Sequence, residues 1–211
     1  MDRALTEPRI LRLQRLALWL GILTVIYNLL EGLVSVAFGA GGEALTLLGF
    51  GLDSFVEVLS ALGIVAMLLR IRRSPQEPAS RFERAALCLT GAGFFLLVAG
   101  LLATAVFDLA TRHRPGSSLP GLVISLISIA CMTALLAAKR RVGLALGSAP
   151  ILADAECSRV CIYMSLVLLA ASLVYRLTGF GFVDSLGALG LIWFSMREGR
   201  EAFEKARSLE S

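Results

Sequence analysis

Six long apolar runs, parted by short polar clusters, dominate the chain. They cover residues 16–38, 44–69, 85–109, 119–138, 151–174 and, more briefly, 183–196. The first runs for about 23 residues, enough to cross a hydrocarbon layer about 30 Å thick at 1.5 Å of rise per residue, and too long for the apolar part of a signal peptide. The breaks between runs are chemically distinct. A GAGGE cluster ends the first, a polar stretch with Pro75 and Pro78 follows the second, and TRHRPGSS separates the third from the fourth. Basic KRR at 139–141 closes the fourth, and a Gly/Ala/Ser-rich linker with Pro150 leads to the fifth. The pattern predicts an all-α membrane protein of six transmembrane helices. Residues 1–15 form a polar N-terminal arm, 16–196 the membrane domain, and 197–211 a short helical tail with no C-terminal soluble domain.

Composition agrees with lipid as the solvent: 57% of the 211 residues are hydrophobic and 17% charged, with a mean hydropathy of +0.79. This excludes an ordinary soluble enzyme. The net charge of +4 does not imply nucleic-acid binding, because the basic residues sit at the ends of the runs. With both termini on one side, 16 Lys and Arg fall on that side, Lys139 among them, and 3, Arg112, Arg114 and Arg176, on the other. Basic loops stay cytoplasmic, so both termini are placed in the cytoplasm, in a plasma membrane of bacterial inner-membrane type. In the tail, Glu201 and Lys205 stand at i,i+4 and predict a solvated helix continuing the sixth run. The four cysteines, Cys88, Cys131, Cys157 and Cys161, lie in apolar runs rather than in paired loops and are read as free thiols. The likeness of GFGLDS at 49–54 to GFGFVDSL at 179–186 is too short to claim an internal repeat.

The second run contains two carboxylates, Asp53 and Glu57, one helical turn apart and therefore on one face. An ionised group at membrane depth costs about 2.5–3.5 kcal/mol on insertion scales, so the pair calls for a partner. Counting helix rise, Asp53 lies about 14 Å and Glu57 about 20 Å below the outer face, while Cys157 and Cys161 in the fifth run lie about 9 and 15 Å above the inner one. Asp53 comes level with Cys161, and Glu57 with Cys157. Two acids facing two thiols form a four-coordinate donor set suited to Zn²⁺ or a similar divalent ion. Asp154 stands one turn before Cys157 on the same stripe. Asn28 and Glu31 in the first run sit one turn apart and either line an outer access path or hold the second helix. Cys88 and Cys131 read as packing residues, His113 as a solvated loop residue, and Asp184 as a cap on the sixth run. Gly93 and Gly100, and Gly187 and Gly190, offer small-residue surfaces for helix contact within one chain or between two.

DSFVE at 53–57, ADAECSRVC at 153–161 and VDSLGALGLIWFSMREGREAF at 183–203 resemble the membrane domain of the cation diffusion facilitator, or cation efflux, family. The resemblance implies a tetrahedral divalent-metal site between the second and fifth helices, exchange of metal against protons by alternating access, and a homodimer. Matched residue by residue, Asp53 and Glu57 take the two acidic positions of the second helix. Cys157 and Cys161 take positions usually held by His and Asp, which softens the site. The expected function is a secondary transporter of a divalent transition metal, with that ion as substrate, no resident cofactor and no enzymatic activity. Two other classes remain open at this point: a non-transporting metal-binding or interaction protein that retains the fold, and a membrane thiol redox enzyme using Cys157 and Cys161. The second is disfavoured because cysteines at i,i+4 of one helix are badly placed for a disulfide.

Overall fold

A computed structural model describes residues 7–40, 45–73, 79–111, 119–178 and 182–209. His113, Arg112 and Arg114 lie outside these residues, as do the side chains of Arg176 and Asp184 and the surroundings of Gly187. The described chain is helical throughout, in six helices: α1 (Glu7–Ala40), α2 (Leu45–Arg73), α3 (Ala79–Thr111), α4 (Leu119–Leu146), α5 (Ala149–Thr178) and α6 (Phe182–Ser208). Each apolar run of the sequence lies within one helix, save Ala44 at the head of the second, which is outside the described residues. Among the described residues, α1 to α4 contain segments long and apolar enough to cross a membrane. The first half of α5 carries Asp154, Glu156 and Arg159, and the second half of α6 is the charged tail.

The helices are amphipathic in the sense opposite to that of a soluble bundle. On α1, Leu16, Trp19, Leu23, Ile26, Leu30 and Leu33 are exposed, while Thr24, Asn28, Glu31 and Ser35 face inward and are buried. Both stripes step by three and four residues, the repeat of one helical face. The apolar stripe is left on the outer surface of the bundle and the polar one meets protein, where intramembrane polar groups find partners. α2 and α5 occupy the middle: α2 packs on α1, α3 and α5, and α5 on α2, α3, α4 and α6.

Small residues set two of these contacts. Gly32 of α1 and Gly51 of α2 face one another so closely that a Cβ on Gly51 would stand 2.8 Å from Val36 Cγ2 and 3.1 Å from the Gly32 carbonyl oxygen. On the other flank, Gly91 of α3 lies against Phe203 and the Gly199 carbonyl of α6. Gly93 is spent inside the chain, against Val56 of α2, and Gly100 also faces α2 through Leu52.

Helix α4 runs past the KRR cluster to Leu146, so most of the segment read as a linker is helix. It stops at Gly147, whose φ of 62° is left-handed and easy only for glycine. The Ser148 amide donates to the Gly143 carbonyl at 3.0 Å and the Gly147 amide to that of Leu144 at 3.3 Å, a Schellman ending that satisfies the last carbonyls. This two-residue turn places α4 and α5 side by side and antiparallel. In the tail, Glu201 and Lys205 pair at 2.7 Å. The tail's other face is packed rather than solvated: Ala202 and Ala206 are buried, and Ala206 joins Leu87 and Ala153 in a small apolar cluster.

Candidate metal site

The inward polar stripes meet in the middle of the bundle as two connected groups. The outer group is built on Glu31. Its Oε1 accepts from the Tyr27 hydroxyl at 2.8 Å, and its Oε2 lies 3.0 Å from Ser54 Oγ of α2. Cys161 Sγ stands 4.0 Å from the same Oε2 and 3.7 Å from Ser128 Oγ of α4. Asp53, only 3% exposed, faces Cys161, and its Oδ2 has no hydrogen-bond partner among the described residues. Asn28 lies beside this group. Its amide donates to the Thr24 carbonyl at 3.0 Å, and its Oδ1 has no partner.

The inner group is built on a residue that the sequence reading left at the membrane edge. Lys139 is 1% exposed, and its ammonium reaches three oxygens: Asp154 Oδ2 at 2.9 Å, Ser158 Oγ at 2.9 Å and Glu57 Oε1 at 3.3 Å. An ammonium has three protons, so its donors are fully used. Ser158 also donates to Glu57 Oε1 in a short contact. Asp154 Oδ1 accepts from Ser60 at 2.8 Å, and Ser60 touches Thr90 of α3 at 3.0 Å. One network thus ties α2, α3, α4 and α5. Glu57, 1% exposed, keeps Oε2 without a partner among the described residues.

The placement of Lys139 corrects its assignment to the solvated basic edge. Ser125, Ser128, Met132, Leu135, Lys139 and Val142 are all buried and step along α4 by three and four residues. Lys139 is therefore on the inner face, while Arg140 and Arg141 turn out to the exposed one. That phase was the available signal. Grouping the three basic residues by sequence adjacency hid it.

Of the four predicted ligands, Asp53 and Cys161 meet in the outer group. Glu57 and Cys157 lie in the inner one, where the charges of Asp154 and Glu57 bear on the Cys157 thiol. Both cysteines are buried, and all four cysteines of the chain are free thiols. Glu31, left open between two roles, holds α1 to α2 through Ser54. Asp154 is bound to Lys139 and Ser60. Among the described residues no three His, Cys, Asp or Glu side chains are gathered closely enough to hold a metal ion. Glu57 is engaged by Lys139 and Ser158, and Glu31 by Tyr27 and Ser54.

A search of curated proteins found no match. The family description "Cation efflux transmembrane domain" matches residues 21–209, nearly nine-tenths of the chain and some part of every helix. With several apolar helices arranged around a buried polar centre, the chain is an integral, multi-pass membrane protein and belongs to the cation efflux family of metal-cation transporters.

Proposed function

We propose that the protein is a secondary transporter of a divalent transition-metal cation, Zn²⁺ or an ion of similar softness, carried through a site made by Asp53 and Glu57 of α2 with Cys157 and Cys161 of α5. The observation that carries the proposal is a pair of fully buried carboxylates, one turn apart, each with an oxygen that no donor satisfies. An unpaired carboxylate oxygen in a membrane interior is costly, and a divalent ion relieves two at once. Thiolate, which enters from α5, is a normal zinc ligand.

Carboxylates and thiols bind metal in their deprotonated forms, so metal and protons compete for the same atoms. Exchange of metal against H⁺ by alternating access follows from that competition. The reading includes six crossings, both termini in the cytoplasm, and a homodimer in a plasma membrane.

The test is flux in proteoliposomes. Purified protein should move Zn²⁺, Cd²⁺, Co²⁺ or Fe²⁺ with a counter-movement of protons, and Asp53→Ala combined with Cys157→Ala should abolish metal binding. Absence of all four fluxes, together with binding that the double substitution leaves unchanged, refutes the assignment.

One observation favours a second reading. The Lys139 ammonium already pairs with both Glu57 and Asp154 and offsets one of their two charges, as in a protein that keeps the fold without transporting. Flux separates the two, since a non-transporting relative shows none.

A further inference from the structure

Lys139 is a buried cation with no role in the metal site as described, and it lies against one of that site's acids. Its three contacts are unequal. Asp154 and Ser158, both on α5, hold it at 2.9 Å, whereas Glu57 on α2 lies at 3.3 Å. The two short contacts suffice to keep the ammonium paired and hydrogen-bonded if the longer one opens. Ser158 links the two groups, accepting a hydrogen bond from Lys139 and donating one to Glu57 Oε1. Asp154 is further fixed by Ser60 at 2.8 Å, so it stays in place whether or not Glu57 is engaged.

We infer that Lys139 is a tethered counter-ion that competes with the transported metal for Glu57, with Asp154 as the acid on which it rests when metal enters. The inference rests on the transport reading above. In the arrangement seen here the ammonium engages Glu57 through Oε1 and so holds the charge of a carboxylate whose Oε2 has no partner among the described residues, where no ligand trio is assembled. Entry of the divalent ion transfers Glu57 from Lys139 to the metal, and Lys139 closes fully onto Asp154 and Ser158. Lys139 and Asp154 remain paired with each other when Glu57 passes to the metal, and every ammonium and carboxylate keeps a partner. A carboxylate released from one cation is always offered another, which a membrane interior demands.

The experiment is Zn²⁺ titration by calorimetry on the purified full chain in nanodiscs. Removing Lys139 alone would leave Asp154 buried and unpaired, so both charges are removed together in Lys139→Met/Asp154→Asn, which preserves the net charge. Freed from competition, Glu57 should bind Zn²⁺ about tenfold more tightly or better, the factor expected if the ammonium holds it for about nine-tenths of the time. Asp154→Asn alone should act in the opposite direction, since Lys139 is then left with Glu57 as its only carboxylate and Zn²⁺ binding weakens. This second variant keeps the inference open to refutation if the double variant does not fold. Zn²⁺ binding in the unaltered chain that neither variant moves overturns the inference alone and leaves a purely structural staple. Absence of binding in the unaltered chain and in both variants overturns it together with the transport reading. Binding that appears only in the double variant supports it.

Discussion

Asp53 and Glu57 share a helix face and a depth class, yet their surroundings differ in a way that decides what each does. Asp53 faces a thiol and has one free oxygen, whereas Glu57 is held by an ammonium and a hydroxyl. Replacing Cys161 by Asp would harden the outer half. Carboxylate favours harder ions than thiolate does, so Cys161→Asp should reduce the preference for Cd²⁺ over Zn²⁺ in competitive binding. An unchanged ratio would show that Cys161 is not a ligand. Lys139→Ala tests the inner half through stability. It leaves Glu57 and Asp154 without their shared cation, and breaking a buried pair by removing one partner costs about 3–5 kcal/mol. Thermal unfolding in detergent should register a large fall for Lys139→Ala and a small one for Arg140→Ala, whose side chain is exposed. The acids and thiols were legible in the sequence because i,i+4 spacing and membrane depth are properties of single helices. The Lys139 contacts were not, since they depend on how α4 is rotated against α2 and α5. Only the three-and-four stepping of Ser125, Ser128, Met132 and Leu135 carries that information along the chain.

At the scale of elements, glycines fix how closely helices approach and where they stop. Gly51→Val would drive a side chain into Val36 and the Gly32 carbonyl, and overpacking of this kind costs about 1–3 kcal/mol. The expected result is lower thermal stability, together with weaker metal binding as α1 moves off α2 and the contact of Ser54 with Glu31 is lost. Gly147→Ala acts on a helix end instead. Its backbone is left-handed, which costs an L-residue roughly 1–2 kcal/mol, and there is open space around its Cα. Stability should fall by that amount in chemical denaturation while Zn²⁺ affinity is unchanged. The tail behaves differently. A hydrogen bond from Lys205 is the chief cause that holds the Glu201 carboxyl below its usual range, so the pair stabilises above the ordinary carboxylate pKa and the contribution fades as pH falls through the lowered one. Both groups are about two-fifths exposed, and solvent screening keeps such a pair under about 0.5 kcal/mol. Element positions were legible because apolar length and polar breaks mark them. The extension of α4 to Leu146 was obscured by counting Gly, Ala and Ser at 143–148 as linker, although Val142, Leu144, Ala145 and Leu146 continue the helix.

For the molecule as a whole, the arrangement of six helices makes the number of crossings a question about α5 and α6. Among the described residues, four helices qualify as spans on apolar length alone. α5 places Asp154, Cys157, Ser158 and Cys161 against α2 and α4, so its polar face is covered by protein rather than by lipid, and its outward Tyr163, Leu166 and Leu173 are apolar. A helix partnered in this way can hold its polar groups at membrane depth. α6 packs along α3 through Gly199 and Phe203, while Leu189 and Trp193 face outward. If both helices cross, the count is even and the two ends lie on one side. The basic residues favour the cytoplasmic side even with Lys139 withdrawn to the interior, since the loops and ends assigned there retain the remaining 15 of the 16 and cytoplasmic Lys and Arg set orientation. The prediction is that a fluorescent protein fused after Ser211, which matures only in the cytoplasm, is bright, and that alkaline phosphatase fused after His113, which is active only outside, is active. A dark fusion at Ser211 with an active one at His113 would mean that one of α5 and α6 does not cross. If that helix is α5, the depth match between Asp53 and Cys161 is removed as well, because it requires α5 to rise from the inner face as α2 descends from the outer one.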